Sequence, residues 1–155
     1  MAGQYWLLKS EPGNYSVDDL KRDRSTYWEG VRNYQARNFL RDSIKKGDEV
    51  FFYHSNADLA GIAGVAKVTS DGYPDPSQFD PKSKYFDPKS SKEKPLWYVV
   101  DIQFSEKFPA VIPLENLKKI KALEGMPLLQ RGQRLSVQPV TRAHWKVIFE
   151  EFPGR

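Results

Sequence analysis

The chain has 155 residues, of which 39% are apolar and 28% are charged, and its formal net charge at pH 7 is +4. This length is typical of one compact domain, and we expect residues 1–155 to form one. The composition excludes a disordered chain, and no apolar run approaches the roughly 20 residues needed to cross a bilayer. With no cysteine, and with His54 and His144 far apart in sequence, thiolate catalysis is excluded and a histidine-based metal site is not expected.

Positive charge is concentrated in two segments. Residues 21–46 hold eight basic and three acidic residues, and residues 107–155 hold nine basic and four acidic residues. Two basic segments on an otherwise acidic chain are typical of a surface that binds phosphate groups. Ordinary solvated helices carry similar charges, so charge alone leaves both interpretations open.

The first half of the chain alternates between apolar runs typical of strands and polar segments typical of helices. A capping box at Ser16 and Asp19 marks the start of one helix. Gly61 and Gly64 lie inside an apolar run, where glycine indicates a bulge or the close approach of another backbone. The predicted elements are strands at 4–9, 49–54 and 60–69, the last two forming a hairpin, and helices at 16–21 and 33–43.

Residues 71–95 differ in composition from the segments on either side. They contain five prolines among aspartate, serine and lysine, which excludes a continuous helix or a central strand. A loop of this length in a compact domain is usually functional or disordered. Because it also holds aromatic residues such as Tyr85 and Phe86, we expect an ordered loop that packs onto the rest of the chain.

The second half of the chain is predicted to add strands before a final helix. Pro113 is typical of a helix start, and Thr141 is a suitable N-cap for the last helix. Four to six strands in all, with helices between and after them, predict an α+β fold with a curled sheet or small barrel. The predicted elements are strands at 96–104 and 110–112, a helix at 114–121, a helical turn at 127–130, an extended piece at 134–137 that Pro139 stops, and a helix at 141–151.

The densest cluster of aromatic, amide and basic side chains is YWEGVRNYQARN, residues 27–38. If Asn33 caps the helix that follows, the preceding loop places Trp28 near the helix N-terminus. An aromatic ring beside amide and backbone N–H groups suits a stacked nucleic-acid base whose edge is hydrogen-bonded. Trp28 and Tyr34 can equally belong to the core, with Asn33 only a cap, and both interpretations stay open at this point.

Two further polar clusters lie at the ends of predicted strands. Lys9-Ser10-Glu11 follows the first strand, where functional side chains are common, and a lysine beside a carboxylate can act as a general-base pair. His54 follows Tyr53 at the end of another strand and titrates near neutral pH if it is exposed. A surface turn and a structural histidine are the plainer interpretations of the two clusters.

A polar and basic stretch, RGQRLSVQPVT, occupies residues 131–141. Arg134 and Ser136 are two residues apart and share a face if this piece is extended. Contact with a phosphate group and a salt bridge within the protein are both open uses of Arg134. The chain lacks a P-loop, a dinucleotide-binding fingerprint, a nucleophile elbow and a calcium-binding loop, so those function classes receive no support.

Five blocks of sequence together resemble the EVE domain family, in the expected order and over residues 4–149. The resemblance implies a PUA-like fold, in which a curled, mostly antiparallel β-barrel is flanked by helices. EVE-like domains are associated with recognition of modified cytosine in DNA, and the similar YTH domains hold a methylated base in an aromatic pocket. The blocks are YWLLKSEP (5–12), YWEGVRNYQARNFL (27–40), GDEVFFYHSN (47–56), GIAGVAKV (61–68) and RLSVQPV (134–140).

The resemblance also implies which residues form the site. Trp28 would be an aromatic wall of a base pocket, and Asn33 would read the edge of the base or fix the loop. The rim of the pocket would be formed by Lys9, Ser10 and Glu11, and the facing side by Tyr53, His54 and Ser55. The contacts to the nucleic-acid backbone would come from Arg32, Arg37, Arg134 and Ser136.

We therefore expect a non-catalytic reader of modified bases in nucleic acid, with DNA as the first expectation and modified RNA as the alternative, that takes 5-methylcytosine or 5-hydroxymethylcytosine into the pocket. One alternative is a hydrolase acting on a modified nucleoside, with Lys9 and Glu11 as its catalytic pair and His54 as proton shuttle. Another is a protein-interaction module whose aromatic residues are simply core. We expect no metal, cofactor or membrane partner, and a location in the cytoplasm of a bacterial cell or the nucleus of a eukaryotic one.

Overall fold

The computed structural model describes residues 3–153, in which helices pack against a curled sheet. The strands are β1 (Tyr5–Ser10), β2 (Ser25–Tyr27), β3 (Glu49–His54), β4 (Gly61–Val68), β5 (Tyr73–Pro74), β6 (Tyr98–Val99), β7 (Asp101–Pro113) and β8 (Val137–Val140). The α-helices are α1 (Val17–Asp23), α2 (Tyr34–Asn38), α3 (Leu114–Lys118) and α4 (Arg142–Glu151). A π-helical turn at Phe39–Ser43 prolongs α2, and 3₁₀ turns lie at Pro76–Phe79, Lys121–Leu123 and Pro127–Leu129.

The main sheet has the strand order β2-β7-β4-β3-β1-β8, and β5 and β6 form a separate pair. β1 runs parallel to β3, whereas the other pairings are antiparallel. A parallel pair needs a long crossover connection, and residues 11–48, which include α1, β2 and α2, provide it. The expected α+β fold, with a curled and mostly antiparallel sheet and flanking helices, is confirmed.

Both faces of β1 are buried, which explains its nearly continuous apolar sequence. Trp6 and Leu8 lie in one hydrophobic cluster, together with buried residues of α1 and α2. Leu7 lies in the other cluster, which includes buried residues of α4. This alternation follows the two-residue period of a strand. Trp145 of α4 stacks on Phe51 of β3 with a centroid distance of 3.9 Å, which fixes the helix against the sheet.

The local signals of the first half of the chain are confirmed. Ser16 and Asp19 form the predicted capping box, and α1 begins at Val17. β3 has the predicted bounds and forms a hairpin with β4. Gly64 lies where the register between β4 and β7 shifts, and a Cβ there would overlap the backbone carbonyl of Glu106. The predicted bulge is therefore present at this position.

The second half departs from the predicted elements in two adjoining places. The strands predicted at 96–104 and 110–112 were divided in the wrong place. β7 is continuous over Asp101–Pro113 and joins the two predicted pieces, and the short β6 (Tyr98–Val99) precedes it. The polar run at 105–107 belongs to a strand that is only partly covered. It pairs with β4 through Glu106 and Lys107, with a shift of register at Ser105. The helix predicted at 114–121 ends at Lys118, because Lys119 and Ile120 donate to carbonyls three residues back and tighten the turn.

The position of β8 also differs from the prediction. Pro139 was expected to end an extended piece at 134–137. Instead, the strand begins at Val137, continues to Val140 and includes Pro139. β8 lies at the edge of the sheet and pairs only with β1 there. An edge strand uses one of its two hydrogen-bonding sides in the ladder, so it tolerates a proline that has no N–H.

The proline-rich residues 71–95 pack against the sheet through buried polar groups. Asp75 and Gln78 are fully buried. The carboxamide nitrogen of Gln78 donates to the carbonyls of Asp75 and Trp97, and its oxygen accepts from the N–H groups of Leu96 and Trp97. A buried amide with its donors and acceptor all engaged holds both ends of this segment together.

Candidate nucleic-acid interface

A cavity of about 380 Å³ opens where the end of β1, the loop after β2 and the proline-rich segment meet. Its walls come from residues 9–11, Asn14 and Tyr15, residues 26–32, Lys84 and Tyr85, and Ser136. The volume lies in the range of small-molecule pockets, about 300–1,000 Å³. Aromatic rings, two carboxylates and three basic side chains meet in this one space.

Four of the eight residues expected in a base pocket line this cavity, namely Lys9, Ser10, Glu11 and Trp28. They come from the two segments that the sequence singled out, the end of the first strand and the aromatic-amide block. The other four, Asn33, Tyr53, His54 and Ser55, are not among the described residues that line it.

The turn after β1 is held in place by its own hydrogen bonds. The Ser10 hydroxyl donates to the carbonyl of Tyr15 at 2.7 Å. The carboxylate of Glu11 accepts from the side-chain amides of Asn56, at 2.6 Å, and Asn14, at 3.3 Å. Burial lowers the pKa of the Lys9 ammonium, because the charged form loses hydration. The rim is therefore a fixed arrangement of an amine, a hydroxyl and a carboxylate.

Trp28 belongs to the core and also borders the cavity. Only 7% of its surface is exposed. Its ring meets Phe52 edge-to-face at a centroid distance of 5.4 Å, and Tyr15 in the same manner at 6.4 Å. Its backbone N–H donates to the carbonyl of Val100 at 2.9 Å. The indole is thus a rigid part of the wall, and the two interpretations of this residue are compatible.

The cavity is also lined by residues that were not predicted from the sequence, among them Tyr27, Glu29, Lys84 and Tyr85. Burial raises the pKa of the Glu29 carboxyl, and the negative charge of Asp75 raises it further. Burial also raises the pKa of the Tyr27 hydroxyl. The two residues flank Trp28 in the sequence, so the aromatic-amide block already contained the signal for them. Lys84 and Tyr85 come from the proline-rich segment and had no local signal.

The four residues that do not line the cavity have structural partners. The side-chain oxygen of Asn33 caps α2 by accepting from the Ala36 N–H at 2.9 Å, which is the helix-cap interpretation of this residue. Tyr53 is buried in the hydrophobic cluster next to α4. His54 accepts a hydrogen bond at Nε2 from the Val17 N–H at 3.0 Å, and burial lowers its pKa. The backbone N–H of Ser55 donates to the Ser10 carbonyl at 2.9 Å.

Of the residues expected to contact the nucleic-acid backbone, some line the cavity and others do not. Arg32 and Ser136 line the cavity, but the Arg32 guanidinium is engaged by Asp75 at 3.1 Å and by the Tyr85 carbonyl at 2.6 Å. Arg37 donates to the Leu96 carbonyl at 2.6 Å and lies outside the cavity lining. Arg134 is exposed in the segment before β8.

Two observations concern metal and membrane binding. Within residues 3–153, no three acidic or histidine side chains are grouped so as to hold a metal ion. Over the same residues, no helix combines the length and the apolar character that a bilayer crossing requires.

Comparison with known proteins gives the same family for nearly the whole chain. The family model described as "EVE domain" matches residues 4–151. Human thymocyte nuclear protein 1 is 43% identical over 163 residues, which cover 93% of this chain and 72% of the human protein. The chicken protein of the same name is 44% identical, and this chain covers 66% of its length, so these relatives contain further sequence.

Solved structures are similar over almost their full length. A protein from Pseudomonas syringae has a TM-score of 0.91 at 50% identity, and the match covers 95% of this chain and 98% of that one. The human THYN1 protein in complex with 5-methylcytosine-containing DNA has a TM-score of 0.88 at 40% identity, with 96% of each chain covered.

Proposed function

Because the chain belongs to the EVE domain family, we propose that it is a non-catalytic reader that binds DNA and takes a modified cytosine into the cavity beside Trp28. The observation that carries this proposal is the cavity itself, with an aromatic wall and a polar rim, in a fold shared with a protein crystallised on 5-methylcytosine DNA. 5-Methylcytosine and 5-hydroxymethylcytosine are the proposed ligands, in DNA before RNA.

The chemistry of the cavity suits the edge of a cytosine. The exocyclic amino group of cytosine donates to carboxylates, and Glu11 and Glu29 both line the cavity. The remaining edge of the base accepts hydrogen bonds, for which the Lys9 side chain is a donor in the same space. The proton of the Ser10 hydroxyl is already donated to the Tyr15 carbonyl, so this residue fixes the turn. We assign Glu11, Glu29 and Lys9 to the base and Ser136 to the adjoining backbone.

Binding requires the base to leave the stack. Extruding a base costs a few kcal/mol, and stacking on an aromatic side chain returns about 1–3 kcal/mol. One methyl group buried in an apolar environment adds about 0.8 kcal/mol, which is about fourfold in affinity. We therefore expect 5-methylcytosine to be preferred by a few-fold. Both bases should bind more tightly in single strands or mismatches, where extrusion costs less.

Fluorescence anisotropy tests the proposal directly. Labelled oligonucleotides that differ only in cytosine, 5-methylcytosine or 5-hydroxymethylcytosine are titrated at low and physiological salt, single- and double-stranded. The Trp28→Ala variant is expected to lose the preference for the modified base. Since this change removes a buried ring, Trp28→Phe is measured in parallel, because it keeps a ring against Phe52 and is expected to retain part of the preference.

Tyr34→Ala is the matched control. Tyr34 is an exposed aromatic residue that stacks on Trp97 and is not among the residues lining the cavity. It is expected to keep the preference of the unchanged protein. A modified-base preference that survives in Trp28→Ala would contradict the assignment of the pocket.

A hydrolase remains the second candidate, because Lys9 and Glu11 line the same cavity and burial lowers the pKa of Lys9. A lysine whose pKa is lowered gives up its proton more readily, which suits general-base catalysis. The geometry around the pair favours binding instead: Glu11 accepts two amide hydrogen bonds, and His54, the expected shuttle, bonds to Val17. Incubation with acylated or alkylated cytidines, followed by mass spectrometry, decides between them, since only a hydrolase gives a product that Lys9→Met abolishes.

The interaction-module alternative predicts no salt-dependent binding to nucleic acid, and the same titrations at two salt concentrations test it.

A protein that reads DNA has to be located where DNA is. We therefore propose the nucleus for a chain from a eukaryotic cell, in line with the name of the chicken and human relatives, and the cytoplasm for one from a bacterium.

A further inference from the structure

The proline-rich segment contributes a basic side chain to the cavity that base recognition does not use. We propose that Lys84 binds the backbone phosphate of the nucleotide whose base enters the cavity, and that Tyr85 positions it there. This inference rests on the proposed function and assigns the phosphate contact to a residue of the proline-rich segment.

Residue 84 lies in a loop, but its neighbours hold it at the cavity. The ring of Tyr85 covers Gly30, whose φ is +82° and where a Cβ would lie 2.5 Å from the ring. The Tyr85 carbonyl accepts from Arg32 at 2.6 Å, and its N–H donates to the Ser83 hydroxyl at 3.0 Å. The main chain beside Lys84 is therefore anchored on both the loop and the wall, and the lysine side chain extends from a fixed point.

The three basic side chains that line the cavity differ in availability. Arg32 is committed to Asp75, Ser77 and the Tyr85 carbonyl. Lys9 is half-buried, with its ammonium 5.7 Å from the centroid of the Tyr53 ring.

Lys84 is exposed, and its ammonium lies 5.1 Å from the centroid of the Tyr85 ring, with no ion pair within 4.0 Å among residues 3–153. The anionic group that faces it is Glu29, whose carboxyl interacts favourably with the Lys84 charge. Lys84 is thus the basic side chain of the cavity that is free to bind an anion.

A phosphate is the anion that this position fits. A base that leaves the stack stays joined through its sugar to two phosphates, which remain at the mouth of the cavity while the base lies inside. A lysine ammonium is a compact charge on a flexible stem, which suits an exposed phosphate that approaches in no fixed orientation. Glu29, which lines the same cavity, is then left to bind the base.

The test compares Lys84→Ala with Lys82→Ala, which removes a lysine of the same loop that is exposed and is not among the residues lining the cavity. Affinity for duplexes containing cytosine or 5-methylcytosine is measured at several salt concentrations. Lys84→Ala is expected to weaken both duplexes by the same factor and to reduce the slope of log K against log salt by about 0.9, the value for one phosphate contact. Lys84→Arg is expected to restore the slope.

The outcomes separate the two proposals. If Lys84→Ala keeps the slope of the unchanged protein, or if Lys82→Ala lowers the slope equally, Lys84 is not the phosphate contact, whereas the modified-base preference of the unchanged protein still supports the reader. If the unchanged protein shows a salt slope that Lys84→Ala lowers, but no preference for the modified base, the phosphate contact holds and the proposed function fails.

Discussion

The guanidinium of Arg32 lies 3.1 Å from the carboxylate of Asp75, whose side chain is completely buried. The two residues are 43 positions apart, and their ion pair joins the loop after β2 to the proline-rich segment. The same carboxylate accepts from the N–H groups of Gly30 and Ser77. One buried acid therefore sets the relative position of two walls of the cavity.

Removing the basic partner of that acid is expected to destabilise the protein. Arg32→Ala leaves the Asp75 carboxylate buried without a counter-charge, and breaking such a pair costs about 3–5 kcal/mol, less here because Arg32 itself is partly exposed. Urea unfolding measures the change in the free energy of unfolding. Arg22→Ala, which breaks an exposed ion pair with Asp19, is the control and should change it far less.

Gly30→Ala is expected to displace Tyr85 as well as strain the backbone. Gly30 and Gly132 both have a positive φ, +82° and +77°, but a Cβ has open space at Gly132 and meets the Tyr85 ring at Gly30. Gly132→Ala therefore measures the backbone cost alone, about 1–2 kcal/mol. Thermal unfolding should show a larger loss for Gly30→Ala, and its affinity for DNA should fall, whereas Gly132→Ala should bind normally. Equal losses in both variants would mean that the ring contact is unimportant.

The stability of the protein is expected to fall below neutral pH through His54. Burial lowers its pKa from the ordinary 6.5, and its Nε2 accepts from Val17, so protonation removes an acceptor. At a pH between the lowered pKa of the folded protein and the ordinary 6.5 of the unfolded chain, the unfolded chain binds more protons than the folded protein. The free energy of unfolding therefore decreases as the pH falls from above 6.5. The ion-paired Asp18 and Lys107 are the charges nearest to this histidine.

His54→Gln tests this, since glutamine offers an acceptor but does not titrate. The free energy of unfolding, measured with urea at about pH 7.5 and about pH 5.5, should differ less between the two pH values for the variant than for the unchanged protein. Parallel pH dependences for the variant and the unchanged protein would exclude His54 as the cause.

Binding of cytosine is expected to weaken when Glu29 becomes protonated. Burial and the nearby Asp75 raise the pKa of Glu29, so it takes up a proton at a higher pH than an ordinary glutamate. A neutral carboxyl is a poorer acceptor for the cytosine amino group than a carboxylate. The affinity for a 5-methylcytosine oligonucleotide should therefore fall as the pH is lowered from neutral. The Glu29→Gln variant should bind this oligonucleotide more weakly at neutral pH, and its affinity should depend less on pH.

Much of the fold could be predicted because its signals are local. The capping box at Ser16 and the apolar runs of β1 and β3 are readable within a few residues. β7 was divided wrongly because its polar middle is half-exposed, and Pro139 was placed outside β8 because only the strand order shows that β8 is an edge. Exposure along a strand and position in a sheet are properties of the assembled structure.

In the candidate site, too, the residues with local sequence signals were predicted and those placed by long-range contacts were not. Lys9 and Trp28 were predicted because each lies in a segment with a distinct local composition, and both line the cavity. Lys84 and Tyr85 were missed because a contact across 53 positions, between Arg32 and the Tyr85 carbonyl, brings them there. His54 was expected on the side of the pocket that faces the rim. It pairs with Ser10 across β3 and β1, but its Nε2 accepts from the Val17 N–H of α1, and it is not among the described residues that line the cavity.

The placement of β1 between β3 and β8 has a consequence for how the protein is made. Tyr5 pairs with Val140, so β1 receives its second neighbour only after the 135 residues that follow Tyr5 in the sequence have been synthesised. Until then, one side of β1 is an open row of N–H and C=O groups beside apolar side chains, which is a template for pairing with other nascent chains. Shielding of this edge during translation, or fast arrival of β8, therefore decides how much of the protein escapes aggregation.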